Sequence, residues 1–486
     1  MNNYFDLINF DSYDNEIVGL TDELKVQYIL NQQQNTKRNQ ILVTNSLYEA
    51  NMFYRRFKSY TDKVMLFPMD DFLTSEALAI SPELKLTRLN VLNESYNNEL
   101  KIIVTNLMGI LRFLPDPQVY LDSFINLKVN ENINQNQLIE KLFNMGYVRQ
   151  SIVTKTGDIA PRGYVIDIFS IQYNDPVRIE FWGDTIESIR IFDINSQRTI
   201  KNISEIKIYP NTESIGTNGL IINHRDIINQ KNITNLFGYF NEAQLYINNL
   251  NQIEISYNFL QEEILNYCIS ENIDSNTKFM HDLSIISSSK NKYFYDFIQN
   301  SKLKLDYNVK TIKTFSKDIN KISLELNEYL KSGKLIILSF KNRYKANDFI
   351  ERLNNEDLIF TSLNELISKK INVIISPINE GYELENLVLI TENELFNKNF
   401  VSNDIKYKNS LKYGTKVRDI NKLNSGDYIV HQKHGIGRYC GLKTLTKNNL
   451  KKDYLMLEYK GGDKLYIPVE KIDTISKYSA KEGIAP

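Results

Sequence analysis

The chain has 486 residues, 42% of them hydrophobic: too long for one ordinary domain, and apolar enough to pack several cores. With 58 Lys+Arg against 59 Asp+Glu its net charge is -1, which excludes a chain-wide basic surface of the kind that grips nucleic acid. Two distant cysteines, Cys268 and Cys440, an acidic start (MNNYFDLINFDSYDNE) unlike a signal peptide, and apolar runs no longer than a strand fit a cytoplasmic protein with no disulfide framework and no membrane partner.

Residues 1–120 alternate short β-rich runs (QILVT, KVMLFP, KIIVT) with helical stretches such as SLYEANMFYRRFKSY, the pattern of an α/β layer with a parallel sheet. Within them lies GLTDELKV, in register with the phosphate-binding loop G-x-x-x-x-G-K-[ST] at Gly19 and Lys25. The second glycine has become Leu24, whose side chain hinders the backbone from curling round a phosphate, and the Mg²⁺-holding hydroxyl has become Val26. Asp22 and Glu23 add negative charge where phosphates would lie, so an ordinary helix start with Thr21 as N-cap is the favoured reading.

Near residue 121 the character changes. Residues 135–145 read as a helix with Leu138, Ile139, Leu142 and Phe143 on one side, followed by the strands YVRQSIV, YVIDIF, VRIEFW and IESIRIF: a small α+β module over about 121–205. Residues 206–300 are Asn-rich and partly helical, as in NFLQEEILNYCI. From about 306 to 400 a second α/β pattern runs through KLIILSF, LIFTS, INVIIS and LVLIT, with KNRYKANDFIERL as a helix between. The polar stretch 401–418 reads as a linker, and 419–480 as an all-β module with DYIVH, GRYCGLKTL, DYLMLEY and KLYIPV as strands and KGGD as a hairpin turn.

Few residues carry chemistry. His431 and His434 with Cys440 supply too few ligands for zinc, and Gly435 and Gly437 beside them mark a turn. In Val177–Trp182 alternation puts Val177, Ile179 and Phe181 on one face and Arg178, Glu180 and Trp182 on the other. If the apolar set faces the core, the chain's one Trp points outward beside Arg178, with Arg162 of the P-R-G loop near enough to join. That is a partner surface, or a Trp covering a sheet edge beside an Arg paired around Glu180; the strand pattern alone does not choose. Residues 419–480 hold 11 Lys/Arg against 7 Asp/Glu, a mild excess that suits nucleic acid, an acidic protein surface or simple solubility. Leu445, at the end of its strand, reads on its own as a packing contact.

Two long segments resemble known domains. RGYVIDIFSIQYNDPVRIEFWGDTIESIRIFDINSQRT resembles the second domain shared by the excinuclease protein UvrB and the bacterial transcription-repair coupling factors. GDYIVHQKHGIGRYCGLKTL with DYLMLEYKGGDKLYIPVEKI is similar to the CarD-like, RNA-polymerase-interacting domain of the coupling factors, and INEGYELENLVLITENELF resembles the segment that precedes that domain's linker.

The resemblance implies an α/β multidomain chain: a degenerate P-loop-type domain (1–120 with 206–305), an inserted small α+β domain (121–205), a second α/β domain (306–400) and a C-terminal CarD/SH3-like barrel (419–480). It implies that Arg162, Arg178 and Trp182 bind the excinuclease protein UvrA, with Phe often standing where Trp182 does. It implies that Leu445 engages the β subunit of RNA polymerase. Gly19, Leu24, Lys25 and Val26 then mark a nucleotide loop that has lost its function. ATP and Mg²⁺ belong to motor domains beyond Pro486, as does most DNA contact, so the chain itself is expected to be a non-enzymatic adaptor without a cofactor. A UvrB-like excinuclease ATPase and a free-standing CarD-like transcription regulator are the alternatives.

Overall fold

The runs QILVT and KIIVT are apolar on both faces, and such strands need cover on both sides. In the computed structural model they are neighbours, Gln40–Thr44 beside Ile102–Asn106, in a seven-stranded sheet whose pairings are all parallel. The model describes Tyr4, Ile8 and residues 15–69, 82–97, 99–194, 196–213, 215, 233–270, 272, 274, 277–288, 290–296, 305–306, 309–315, 318–353, 355–396, 415–416, 426–431, 435–447, 450–459, 464–468 and 475–477. The chain divides into two compact units, Met1–Ser402 and Asn403–Pro486, which are taken separately.

The first sheet runs Leu305–Asp306, Glu16–Val18, Lys292–Tyr295, Gln244–Asn248, Gln40–Thr44, Ile102–Asn106, Val64–Phe67. It thus joins strands from the first 106 residues to strands from 244–306, and one core holds Ile41, Val43, Ile103, Leu245, Ile247 and Ile286 together. The helices start where the sequence caps them. Thr21 Oγ1 accepts from Leu24 N at the head of Asp22–Thr36, and Ser46 Oγ accepts from Glu49 N at the head of Leu47–Tyr60. The run KLIILSF becomes Leu335–Phe340, buried throughout, in a second sheet ordered Lys310–Thr311, Tyr382–Glu383, Leu387–Thr391, Leu335–Phe340, Ile371–Ile375, Leu358–Phe360. The first two of these pair antiparallel to their neighbours and the rest parallel.

Between the two halves of the first sheet lies a region with its own core. A six-stranded sheet runs Thr199–Ile203, Thr185–Phe192, Val177–Trp182, Val165–Ile168, Asp158–Arg162, Val148–Arg149, and a two-stranded ladder pairs Ile125–Lys128 with Glu205–Ile208. Helix Gln135–Asn144 sets Leu138 and Leu142 into this core with Ile139 packed beside them. Phe143, expected on the same side, is exposed: it stands one residue, about 100° of helix, beyond Leu142. The expected strand YVRQSIV shortens to Val148–Arg149, which pairs only with Asp158 and Ile159, while Val153 turns into a separate small cluster with Ala160 and Phe169.

The second unit contains a six-stranded antiparallel sheet ordered Thr415–Lys416, Ile475–Lys477, Tyr428–His431, Gly435–Lys447, Leu450–Glu458, Lys464–Pro468. Ile429, Tyr439, Leu455, Leu457 and Ile467 form its core. Among the described residues no pairing joins its two edge strands. Thr415–Lys416, within the stretch read as a linker, is a strand of this sheet, and the KGGD turn lies outside the described residues.

Candidate docking surfaces

The strand Val177–Trp182 alternates as its sequence requires. Val177, Ile179 and Phe181 are buried in the core, each worth about 1.5–3 kcal/mol by removal from water. Opposite them Trp182 is 80% exposed. Two hairpin turns close at this end of the sheet. Arg162 pairs with Val165 across Gly163-Tyr164, and Trp182 pairs with Thr185 across Gly183-Asp184. Gly163 and Gly183 have φ of +59° and +61°, which a type II′ turn demands at its first central residue. Phe181 N donates to Tyr164 O at 2.8 Å, so the two turns sit side by side, and Tyr164 is 73% exposed.

Arg178 does not pair around Glu180. It lies directly across the ladder from Asp167, donating Nε to Oδ1 at 2.7 Å and Nη2 to Oδ2 at 2.9 Å. Nη2 also donates to Gln197 Oε1 at 3.1 Å, and the guanidinium stacks 4.5 Å from the centre of the Phe192 ring. The hydrogen bonds to Asp167 hold the Arg178 pKa above its usual value. Arg162 Nη2 donates to the same Asp167 Oδ2. The Asp167 side chain is 1% exposed, Arg178 21% and Arg162 45%. Glu180 instead takes Arg190 and the Ser188 hydroxyl. One buried carboxylate therefore holds two arginines on the sheet face that also carries an uncovered Trp.

The degenerate loop has another structure. Lys25 is buried in the first turns of helix Asp22–Thr36, with Nζ 2.9 Å from Asn248 Oδ1, 3.0 Å from Asp296 Oδ1 and 3.6 Å from Asp22 Oδ1. Leu24 and Val26 are fully buried, and Gly19 N donates to Tyr295 O at 2.9 Å, tying the turn to the strand beside it. Glu23, also buried, accepts from Arg56 Nη1 at 3.1 Å and from the Tyr60 hydroxyl; Arg56 reaches Glu380 at 3.0 Å. Burial pushes the pKa of Glu23 and of Glu380 upward; the Tyr60 hydroxyl and then Arg56 pull Glu23 back in part, and Arg56 does so for Glu380.

In the second unit the backbone of Leu445 pairs with Lys452, and Lys447 pairs with Leu450. The side chain of Leu445 lies outside the described residues, as does His434. On the same strand Leu442 is half exposed, an apolar position that the sequence reading passed over. Cys440 Sγ lies 3.5 Å from Arg438 O. Among the described residues no group of three or more His, Cys, Asp or Glu is placed to hold a metal, and no helix is long and apolar enough to cross a membrane.

Two family models match the chain. Residues 125–213 match the UvrB interaction domain, and residues 423–479 match the CarD-like/TRCF RID domain. Curated relatives extend the likeness across the chain. The transcription-repair-coupling factor of Bacillus subtilis is 28% identical over 92% of this chain and 43% of its own length. Those of Staphylococcus haemolyticus and Staphylococcus aureus are each 27% identical, over 97% and 100% of this chain and 45% and 47% of their own lengths. The chain is thus similar, along nearly its whole length, to the transcription-repair-coupling factors. It spans a little under half the length of the relatives it matches.

The UvrB interaction match covers these residues: Arg162, Arg178 and Trp182 lie on one face of one sheet, Arg162 and Trp182 at its turn end and Arg178 four residues back along the strand. The sequence reading missed Asp167 and Tyr164. A charged residue inside the apolar run VIDIF, between two arginine-bearing strands, was the available signal for Asp167. For Tyr164 it was the aromatic following the turn glycine.

Proposed function

We propose that this chain is an adaptor with two docking surfaces. The sheet face bearing Arg162, Arg178 and Trp182 receives the excinuclease protein UvrA, and the C-terminal sheet receives the β subunit of RNA polymerase, with Leu445 at the contact. A polymerase stalled on the template is thereby tethered to the damage-recognition machinery of nucleotide excision repair. Tethering makes the second binding event intramolecular and raises the effective concentration of the repair partner without any new contact. One observation carries the first surface: Trp182, 80% exposed, shares a sheet face with two arginines already fixed on one carboxylate. Exposed Trp and Arg are the residue types that most often dominate interfaces. The order of the two matched domains, residues 125–213 before 423–479, supports the pairing of partners.

The reading gives the chain no nucleotide chemistry of its own. Lys25, the residue that would reach a phosphate, spends its charge on Asp296 and Asp22. ATP, Mg²⁺ and most DNA contact are assigned to the length that the relatives have beyond their match to this chain.

The test is paired binding to purified UvrA and to RNA polymerase. Trp182→Ala weakens the first and spares the second; Leu445→Arg does the reverse. Equal loss of both partners in either variant refutes separate surfaces, and ATP hydrolysis by the purified chain would return the UvrB-like ATPase reading.

A further inference from the structure

Asp167 sits in the middle of strand Val165–Ile168 with its side chain closed off from water. A buried carboxylate is costly unless it is paired and hydrogen-bonded. Here both oxygens are used: Oδ1 by Arg178 Nε, and Oδ2 by Arg178 Nη2 and Arg162 Nη2. Its cross-strand neighbours explain why two arginines reach it. Arg178 is directly opposite on one side; on the other the opposite residue is Ala160, which has no long side chain to compete, so Arg162 reaches in from two residues along.

The two arginines are not equivalent. Arg178 is engaged at Nε and Nη2, stacked on Phe192 and mostly covered. Arg162 uses one nitrogen on Asp167 and keeps 45% of its side chain in solvent. The cluster holds two positive charges on one negative charge, so it faces outward with one cation in excess.

We infer that Asp167 is the positioning residue of the docking surface: it fixes Arg178 as a brace and presents Arg162, on the same sheet face as Trp182, to a carboxylate-bearing apolar patch on the partner. This rests on the docking reading above and extends it to the chemistry of the partner's surface. Without Asp167 both long side chains would have to be ordered during binding, and that cost falls on the complex. The guanidinium of Arg162 still has free N–H groups for a bidentate carboxylate, while the Trp182 ring supplies the apolar contact.

The experiment is a set of binding titrations with purified UvrA. Asp167→Asn keeps the shape and removes the charge; we expect binding about tenfold weaker, the scale of freeing two long side chains. In the Arg162→Ala/Arg178→Ala background the same change should cost less than about twofold, and in the Trp182→Ala background about tenfold again. An equal tenfold loss in the arginine-free background would mean a purely structural role and overturn the inference. A readout independent of the partner accompanies it: the NMR signal of Arg178 Nε–H, protected from exchange in the native chain, should be lost in Asp167→Asn, and its persistence also overturns the inference. Should Asp167→Asn lower the melting temperature enough to confuse the titration, Asp167→Glu, with the charge kept but displaced by one methylene, is expected to weaken binding about threefold; unchanged binding counts against the inference. If Trp182→Ala and Arg162→Ala bind UvrA like the native chain, the docking reading itself falls. If they weaken binding and Asp167→Asn does not, only the positioning role falls.

Discussion

Two of the places in the first unit where cations sit on carboxylates differ in what is left over. At the head of helix Asp22–Thr36, Lys25 and Arg56 are both buried, and the carboxylates of Asp22, Asp296, Glu23 and Glu380 surround them. At the sheet end near residue 162, a single buried Asp167 holds two arginines, and Arg162 and Trp182 remain in solvent. The first arrangement spends its charge internally and the second presents it. The stretch in register with a phosphate-binding loop is a structural joint, while a pair of hairpins carries the docking surface proposed above.

The sharpest way to break that contrast is at Arg56. It lies between Glu23, fully buried, and Glu380, and it lines helix Leu47–Tyr60 up against the residues after Ile375. Arg56→Ala strands the buried Glu23 and the partly buried Glu380, and removing one partner of a buried ion pair costs about 3–5 kcal/mol. Chemical denaturation of the 1–402 region within the full chain should register that loss with UvrA binding per folded molecule unchanged. A stability loss below about 1 kcal/mol would mean the joint is wetter than its burial implies.

Trp182→Ala is the mirror case. With the side chain 80% exposed, stability should stay within about 0.5 kcal/mol. Binding to UvrA should fall by about 2 kcal/mol or more, roughly thirtyfold, as for a central interface aromatic. A stabilising contact instead of a docking one would reverse the two results. Tyr164→Ala sharpens the boundary of the surface: at 73% exposure beside the Trp182 turn, it should cost binding about 1 kcal/mol and stability nothing measurable by calorimetry.

How far these two places could be read in advance follows from the range of the contacts. The Trp182 face was legible because strand alternation is local: six residues, Val177 to Trp182, fix which side each chain faces. Four strands of the second sheet were legible on the same local grounds, from apolar runs such as KLIILSF and LVLIT, while the two-residue strands Lys310–Thr311 and Tyr382–Glu383 were not read. Asp167 was not, because its meaning depends on the register that puts it opposite Arg178, eleven residues away through a turn. The Glu23–Arg56–Glu380 cluster joins positions more than 300 residues apart, and periodicity carries no information on that scale. The pairing of Gln40–Thr44 with Gln244–Asn248 is of the same kind: the strand at 244–248 was not read, and the resemblance implied only that the two stretches share a domain. Phe143 shows the local limit, since a run of nearby apolar residues does not fix an angle to within one step of the helix.

The smallest expected effect is one of pH, and it separates the joint from the surface most cleanly. Glu23 and Glu380 are both held above the usual carboxylate value of 4.5, burial first, with the Arg56 charge opposing it. A carboxylate raised on folding keeps its proton in the folded chain at pH values where the unfolded chain has released it. Its contribution therefore favours folding at low pH and is lost as pH rises from the usual carboxylate range through the folded value. Other carboxylates in the chain act in the opposite direction, so the signal is a difference: Glu23→Gln should flatten the stability profile above 4.5 relative to the native chain, by well under the loss in Arg56→Ala. UvrA binding should show no such change in Glu23→Gln, because the docking cluster is built on Asp167 and not on this pair. Parallel denaturation curves for the native chain and Glu23→Gln across that range would show that Glu23 carries the same charge folded and unfolded, and that the joint stores none of the proton energy assigned to it.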